Sequence, residues 1–497
     1  MMHLTKQHRL AYDRSNFVRI RDAQLHVLPI QKYPGNPILV PDRPWEEDVH
    51  LYGSILHIDG VYKMWYFART ESYAVHSMCY AESGDGIHWV KPELDVIEYK
   101  GQKTNIVMSS LTMGKRFGEN FSVLYTPWDE GREYKMLYVG KDKDDSALVG
   151  KVRSDFYQKL AQEYTDRGDW QMAEKASLRS KRDGAKDRLL SAMYIATSSD
   201  GIHWKEGEAP IAPYIDDISH MMYDEKCGLY RLYGRGFTYD AGRCQADRDK
   251  ALFDGYLGRA VYTSTSPDAI NWSEPVLVHS ADAFDRPGDE IYSMSVFPWE
   301  GCYIGLVQMY HGAPDDMTLD IQLAISNDGV HFERVGDRNP IIPLGEAGEW
   351  DRFNTCIADE PVMVDGKLRI YFNGAVFRHL QILGSCDYDG LDTWDRIVRI
   401  GFGEAEPDRF ACARASFGGG TLKTVPMIME GTTLHLNCDC AWGQIKILVE
   451  GAEKQEEIII AQNGADIPAA LPEWAAEEPV QLTFTLKNAR LYSFWAD

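Results

Sequence analysis

The sequence predicts an all-β chain: a five-bladed β-propeller with a helical insertion in its second blade and a β-sandwich appended at its C-terminal end. Three observations carry that reading. One hairpin motif recurs four times, pairs of short alternating strands precede the hairpins, and after Phe410 the pattern changes to strands separated by glycine clusters. The motif reads Ser83-Gly84-Asp85-Gly86-Ile87-His88-Trp89. It returns as Ser198-Ser199-Asp200-Gly201-Ile202-His203-Trp204, as Ser266-Pro267-Asp268-Ala269-Ile270-Asn271-Trp272 and as Ser326-Asn327-Asp328-Gly329-Val330-His331-Phe332. Glycine accepts a positive φ and aspartate bonds nearby backbone, so Asp-Gly between two alternating runs marks a tight hairpin.

Upstream of the first hairpin, Gly53 to Ile58 turns at Asp59-Gly60 into Tyr62 to Phe67. Equivalent pairs are Ser122–Tyr125 with Tyr134–Tyr138, His220–Tyr223 with Tyr230–Tyr233, Ser295–Phe297 with Tyr303–Val307, and Pro361–Val364 with Leu368–Phe372. That makes five four-stranded units. The hairpin aspartates are spaced by 115, 68 and 60 residues, so the repeat is about 60 residues with an insertion after the first copy. A four-stranded antiparallel unit of that size cannot bury both faces alone, and radial repetition into a propeller is the common closed solution. The fifth unit lacks a hairpin of this kind, so an N-terminal strand, Phe17–Ile20 or Leu25–Leu28, is expected to close it. The insertion at about 149–190 has helical spacing and is read as a helical hairpin. A second insertion, Tyr239 to Tyr256, is a polar loop carrying Arg243, Arg248 and Asp254. The organisation expected is a propeller over residues 1–408 and a sandwich over 409–497, the latter a packing module.

Composition narrows the function. With 52 Lys+Arg against 75 Asp+Glu the net charge is −23, which repels nucleic-acid backbones and anionic lipid. No apolar run approaches the roughly 20 residues of a membrane span, and the N-terminal stretch has no signal-peptide core, so no membrane partner and a cytoplasmic location are expected. Nine scattered cysteines suit a reducing compartment. Cys438-Asp439-Cys440 lacks a matching ligand cluster, so neither metal nor cofactor is expected. A homo-oligomer is compatible with the chain. Thirteen Trp and 27 Tyr suit both sheet packing and stacking on sugar rings.

A propeller gathers the first strand of every blade at one axis, so polar residues at those strand starts converge there. In blade order they are Asp48; Glu119 and Asn120; Asp216 and Asp217; Asp289 and Glu290; and Asp359 and Glu360. Carboxylates around one concave site are what glycosidic-bond cleavage needs, one as acid and one as base or nucleophile. The competing explanation is that each merely caps a strand. Asp216 and Asp289 stay open as alternatives to Asp217 and Glu290, one residue away, where strand alternation turns the side chain to the other face. Trp45, Tyr52, Arg69, Arg235, Tyr310, His311, Asn373 and His379 lie near strand ends, where they join Asn120 and Glu360 as candidates for holding a sugar.

The repeated Ser-x-Asp-Gly-Ile-His-Trp hairpins, Asn36-Pro37-Ile38-Leu39 ahead of Trp45-Glu46-Glu47-Asp48-Val49-His50, and the closing Ala489-Arg490-Leu491-Tyr492-Ser493-Phe494 resemble the five-bladed propeller glycoside hydrolases of families 32 and 43. The resemblance implies Asp48 as nucleophile or base, Asp217 as the carboxylate that steadies the transition state, and Glu290 as acid. It further implies an oligosaccharide or glycoside substrate, with furanosides expected. The chain lacks Trp-Met-Asn-Asp-Pro-Asn-Gly, Arg-Asp-Pro and Glu-Cys, the marks of fructan-cleaving enzymes. Two alternatives stay open: a glycoside phosphorylase on the same scaffold, with Arg69, Arg235 and His379 holding phosphate, and a non-catalytic carbohydrate-binding propeller.

Overall fold

A computed structural model describes residues 2–71, 74–113, 117–118, 120–185, 190–207, 209–211, 218–238, 258–313, 316–379 and 397–497. The chain is mostly β. Successive antiparallel units follow one another along it. The first joins Asp48–His50 and Ile55–Ile58 to Val61–Thr70, Val75–Ser83 and Ile106–Ser109. The second runs Phe121–Tyr125, Tyr134–Lys141, Ser191–Ser198 and Lys205–Glu206. The third runs Ser219–Asp224, Leu229–Thr238, Gly258–Ser266 and Val276–His279. The fourth runs Asp289–Trp299, Cys302–His311, Thr318–Ser326 and Glu333–Arg334. The fifth joins Asn354–Ile357 and Val362–Val364 to Lys367–Ala375, Arg399–Ala405 and Gln31–Lys32.

Each hairpin is pinned in the same way. Asp85 Oδ1 accepts from the backbone N–H groups of Ile87 and His88, both at 2.8 Å, while Ser83 Oγ accepts from Gly86 N at 2.9 Å. Asp200, Asp268 and Asp328 repeat the two acceptor bonds. The fourth motif residue then meets the neighbouring unit. Trp65 Nε1 donates to Gly201 O at 2.7 Å, Tyr233 Oη to Gly329 O at 2.8 Å, and Tyr371 Oη to Gly86 O at 2.9 Å. These glycines have φ of +77, +72 and +70°, and a Cβ on Gly201 would come within 2.6 Å of Trp65. In the third copy Ala269 takes the position at φ 62° and packs in a cluster with Leu137, where the neighbour presents no ring.

The first strands of the units touch in a circuit. Val123 N donates to Ser54 Oγ (2.7 Å), Met221 N to Ser122 Oγ (3.0 Å), His220 Nε2 to Val296 O (2.7 Å), Ser295 Oγ to Ala358 O (2.9 Å), and Asp359 N to Gly53 O (3.3 Å). The last of these bonds returns from the fifth unit to the first.

The strand that completes the fifth unit differs from the one expected. Gln31–Lys32 pairs with Arg399–Ala405, held by Lys32 Nζ to Asp351 Oδ2 at 2.6 Å and by Tyr33 stacked on Phe402 at 4.8 Å. Phe17–Arg21 and Gln24–Val27 instead pair with Gly420–Thr424 and Ala411–Ala415. Phe17, Leu25 and Val27 bury their side chains in one cluster with Ala411, Leu422 and Phe484 of the C-terminal strands, and that burial holds the two N-terminal strands there. Two helices, Lys143–Asp166 and Trp170–Asp183, lie between the middle strands of the second unit and pack on each other through Tyr164, Ala173 and Ala176. The first begins six residues before the expected position. No helix among the described residues is long and apolar enough to cross a membrane. The polar insertion with Arg243, Arg248 and Asp254 lies outside the described residues.

Candidate functional site

At the starts of the first strands a cavity of about 310 Å³ opens, lined by residues of all five units, among them Tyr52, Asn120, Arg259, Tyr292 and Asn373. Asp48 lies just behind its wall. It is 1% exposed and pairs across the strand with Arg69, whose Nε donates to Oδ1 at 3.1 Å and whose Nη2 donates to Oδ2. His50, two residues on and on the same face, places Nε2 3.1 Å from Asp48 Oδ2. Burial pushes the Asp48 carboxyl up, but His50 and Arg69 outweigh it and hold the group at about 2. Asp48 is thus ionised at any ordinary pH, while Arg69 and His50 face the cavity.

Glu290 occupies the corresponding place in the fourth unit, 3% exposed. Its Oε2 accepts from Arg259 N at 3.1 Å and Arg259 Nη1 at 3.0 Å. The Arg259 guanidinium lies 5.4 Å from the Tyr292 ring centre and 5.2 Å from that of Tyr310, and Arg235 lies 4.8 Å from Tyr292. Asp289 faces the other way, as alternation requires. It meets His311 Nδ1 at 3.1 Å, and His311 Nε2 meets Asp320 at 2.9 Å. Burial pulls His311 down, yet the two carboxylates raise it to about 10, so it is a permanent imidazolium in the wall of a separate groove of about 810 Å³.

His379 lines the cavity, with Nε2 3.0 Å from Tyr292 Oη. Burial together with Arg259 and Arg235 lowers it to about 3, so the ring is neutral. Its Nδ1 has no hydrogen-bond partner among the described residues. Tyr52 stacks on His50 at 5.3 Å, and Asn373 Oδ1 accepts from Leu51 N at 3.0 Å.

The cavity thus gathers Tyr52, Arg69, Asn120, Arg235, Asn373 and His379 of the expected residues, with Asp48, Glu290 and Tyr310 packed behind its walls. Three others lie elsewhere. Trp45 is buried in the first unit, donating to Asn105 Oδ1 at 2.9 Å and standing edge-on to Tyr99. His311 belongs to the outer groove. Glu360 sits in the bend between Asn354–Ile357 and Val362–Val364, because the fifth unit's first strand starts at Asn354 and not at Asp359. There Asp359 Oδ1 lies 3.0 Å from the buried His220, and burial raises the Glu360 carboxyl above its usual range. Asp217, Asp216 and Glu119 lie outside the described residues.

Arg259, His50 and Tyr292 are among the lining residues that sequence reasoning missed, as are Asn354, Cys356 and Phe377. His50 and Tyr292 each stand two residues from a predicted acid. The pairing shifts between Ile291 and Ser293, so Tyr292 occupies a bulge, a device that re-aims side chains beside sites. Arg259 follows the polar insertion and has no local signal. Among the described residues no group of three or more His, Cys, Asp or Glu is placed to hold a metal.

No protein-family model matches the chain. A curated relative, an A type blood N-acetyl-α-D-galactosamine deacetylase from Flavonifractor plautii, is 26% identical over 189 residues, which are 35% of this chain and 24% of that protein. The chain spans about a quarter of the length of the relative it matches. Similar solved structures include a family 32 β-fructofuranosidase from Bombyx mori, 11% identical over 95% of this chain and 93% of that one, with a TM-score of 0.41. A thermostable family 43 glycoside hydrolase is 12% identical over 75% of this chain and 95% of its own, with a TM-score of 0.43.

Proposed function

We propose that the chain is a carbohydrate-active enzyme, a glycoside hydrolase acting on small oligosaccharides or glycosides, with furanosides the first class to test. The observation that carries this reading is the pairing of two buried carboxylates, each from a different unit, with two arginines that face one cavity. Asp48, held ionised by Arg69 and His50, is the base or nucleophile. Glu290 is the acid. Arg259 donates two of its present bonds, so a bound substrate that takes up the Arg259 donors is what frees Glu290 to turn to the leaving oxygen. Asp217 keeps its proposed place as the third carboxylate. The units with their circuit of bonds are proposed as a closed five-bladed propeller. The division near residue 408 is proposed with residues 2–27 on the sandwich side. The seven described cysteines, all free thiols, support a cytoplasmic setting.

Release assays on fructosides, arabinosides and xylosides test the activity, and Glu290→Gln tests the mechanism. Loss of the acid lowers turnover on alkyl glycosides by about 10²-fold or more and far less on activated aryl glycosides, because only poor leaving groups need protonation. Equal losses on both classes remove Glu290 from that role.

One observation favours a second reading. Among the described lining residues, Arg69, Arg235 and Arg259 supply three guanidinium groups and no carboxylate lines the cavity. A charge-assisted cradle of that kind suits an anion, and a phosphorylase would admit phosphate in place of water. Sugar phosphate formed only when inorganic phosphate is added distinguishes the two.

A further inference from the structure

We infer that the C-terminal sandwich carries its own binding site for a neutral sugar chain. Four strands of one sheet bring a row of polar side chains into direct register: Gln24 opposite Arg414, Arg414 opposite Arg490, and Arg490 opposite Asp439. Directly paired residues share a face of the sheet, so these four project together over about 15 Å, three steps of the strand spacing. They stand at the solvent side, with Gln24 and Arg490 exposed and Arg414 and Asp439 half-buried. The row lines a depression of about 630 Å³ whose rim carries Trp442 and Asn488.

Trp442 is 88% exposed, an unusual position for the largest apolar side chain. It is nevertheless presented on a fixed turn. Ala441 N donates to Asp439 Oδ1 at 3.0 Å and Gly443 N to Cys440 O at 3.1 Å. Any Cβ at Gly443 would overlap Lys487 O, so that turn and the Lys487–Asn488 turn lie directly against each other. On the opposite side Arg414 Nη2 donates to Gln24 Oε1 at 3.3 Å, which orients both planar groups along the row.

An indole face beside a row of planar amide, guanidinium and carboxylate groups is the chemistry that recognises a sugar. The ring's C–H face stacks on the aromatic, and paired donors and acceptors take neighbouring hydroxyls. The charges decide the class. Arg414 and Arg490 are balanced by Asp439 and by Asp22 in the same lining, so no net charge selects an anion. The arginine-only charge of the propeller cavity contrasts with this. The two sites share no residue, so binding at the sandwich is measurable whether or not the propeller cavity is catalytic.

The test uses the full chain carrying Asp48→Asn, which silences turnover under the proposed mechanism, titrated calorimetrically with 1-kestose, arabinotriose, xylotriose and mannotriose, and with trigalacturonate as the acidic control. At least one neutral trisaccharide binds saturably and changes tryptophan fluorescence. Trp442→Ala weakens that binding at least tenfold, Gln24→Ala weakens it several-fold, and trigalacturonate does not compete. Aryl-glycoside turnover of the otherwise unaltered chain is unchanged by Trp442→Ala. Both residues are exposed, so both variants fold. Identical sugar binding with and without Trp442, no binding of any neutral trisaccharide, or a Trp442→Ala effect confined to self-association in sedimentation overturns the assignment.

Discussion

Replacing Arg69 by methionine removes the guanidinium that holds Asp48 while keeping an apolar stem of similar length. In the native protein burial raises the Asp48 carboxyl, and His50 and Arg69 more than reverse this, taking it from 3.8 to about 2. At 1.36 kcal/mol per pH unit, that drop corresponds to about 2.5 kcal/mol of stability. Its sign follows from the folded value lying below the unfolded one: the contribution is complete above about pH 4 and is lost as pH falls towards 2. Without Arg69, burial acts on a carboxylate 1% exposed that keeps only part of its partners. Breaking one side of such a buried pair costs about 3 kcal/mol at pH 7. Urea unfolding at pH 7, 5 and 3 with an unchanged slope reads the difference, which shrinks on acidification as the variant's Asp48 takes up a proton. In the same variant the acid limb of the pH–rate profile moves up by more than one pH unit. A stability difference that stays constant from pH 7 to 3 refutes the ion-pair account of Asp48.

Gly201→Ala places a Cβ 2.6 Å from Trp65 at a φ of +77°. It should cost about 2–4 kcal/mol from left-handed strain and overpacking, read from urea midpoints; Ala269→Gly, where the neighbouring unit already accepts a methyl, should change stability by less than about 1 kcal/mol. His311→Gln removes an imidazolium whose folded value of about 10 lies above its unfolded one. The lost stability is therefore largest at pH 6 and declines as pH rises through 10, and thermal unfolding at those two values checks the sign. Arg259→Ala should remove any protection of the protein by inorganic phosphate against heat if the cavity is an anion site, and leave it unchanged if water is the acceptor.

The hairpins were legible in the sequence because every determinant of such a turn is local. Ser, Asp and Gly within four residues satisfy each other's backbone groups, so the four copies announce their strands without reference to the rest of the chain. The acids at the strand starts were legible for a similar reason: alternation alone separates Glu290, facing the cavity wall, from Asp289, facing His311. Alternation failed where pairing is irregular or partners are distant. The fifth unit's first strand begins at Asn354, five residues before the acids that seemed to mark it, and so Glu360 falls in the bend beyond that strand's end. Trp45 looked like a sugar platform because only the folded first unit shows Asn105 and Tyr99 enclosing it. Arg259 is brought to Glu290 by packing of one unit against the next, over a separation of 31 residues. The sequence by itself determined the repeat, the turns and the rows of acids, since these depend on residues within one hairpin. Which N-terminal strand closes the fifth unit, which cations hold each carboxylate and which residues share a cavity were decided by tertiary structure, because those contacts join residues that are far apart in the chain.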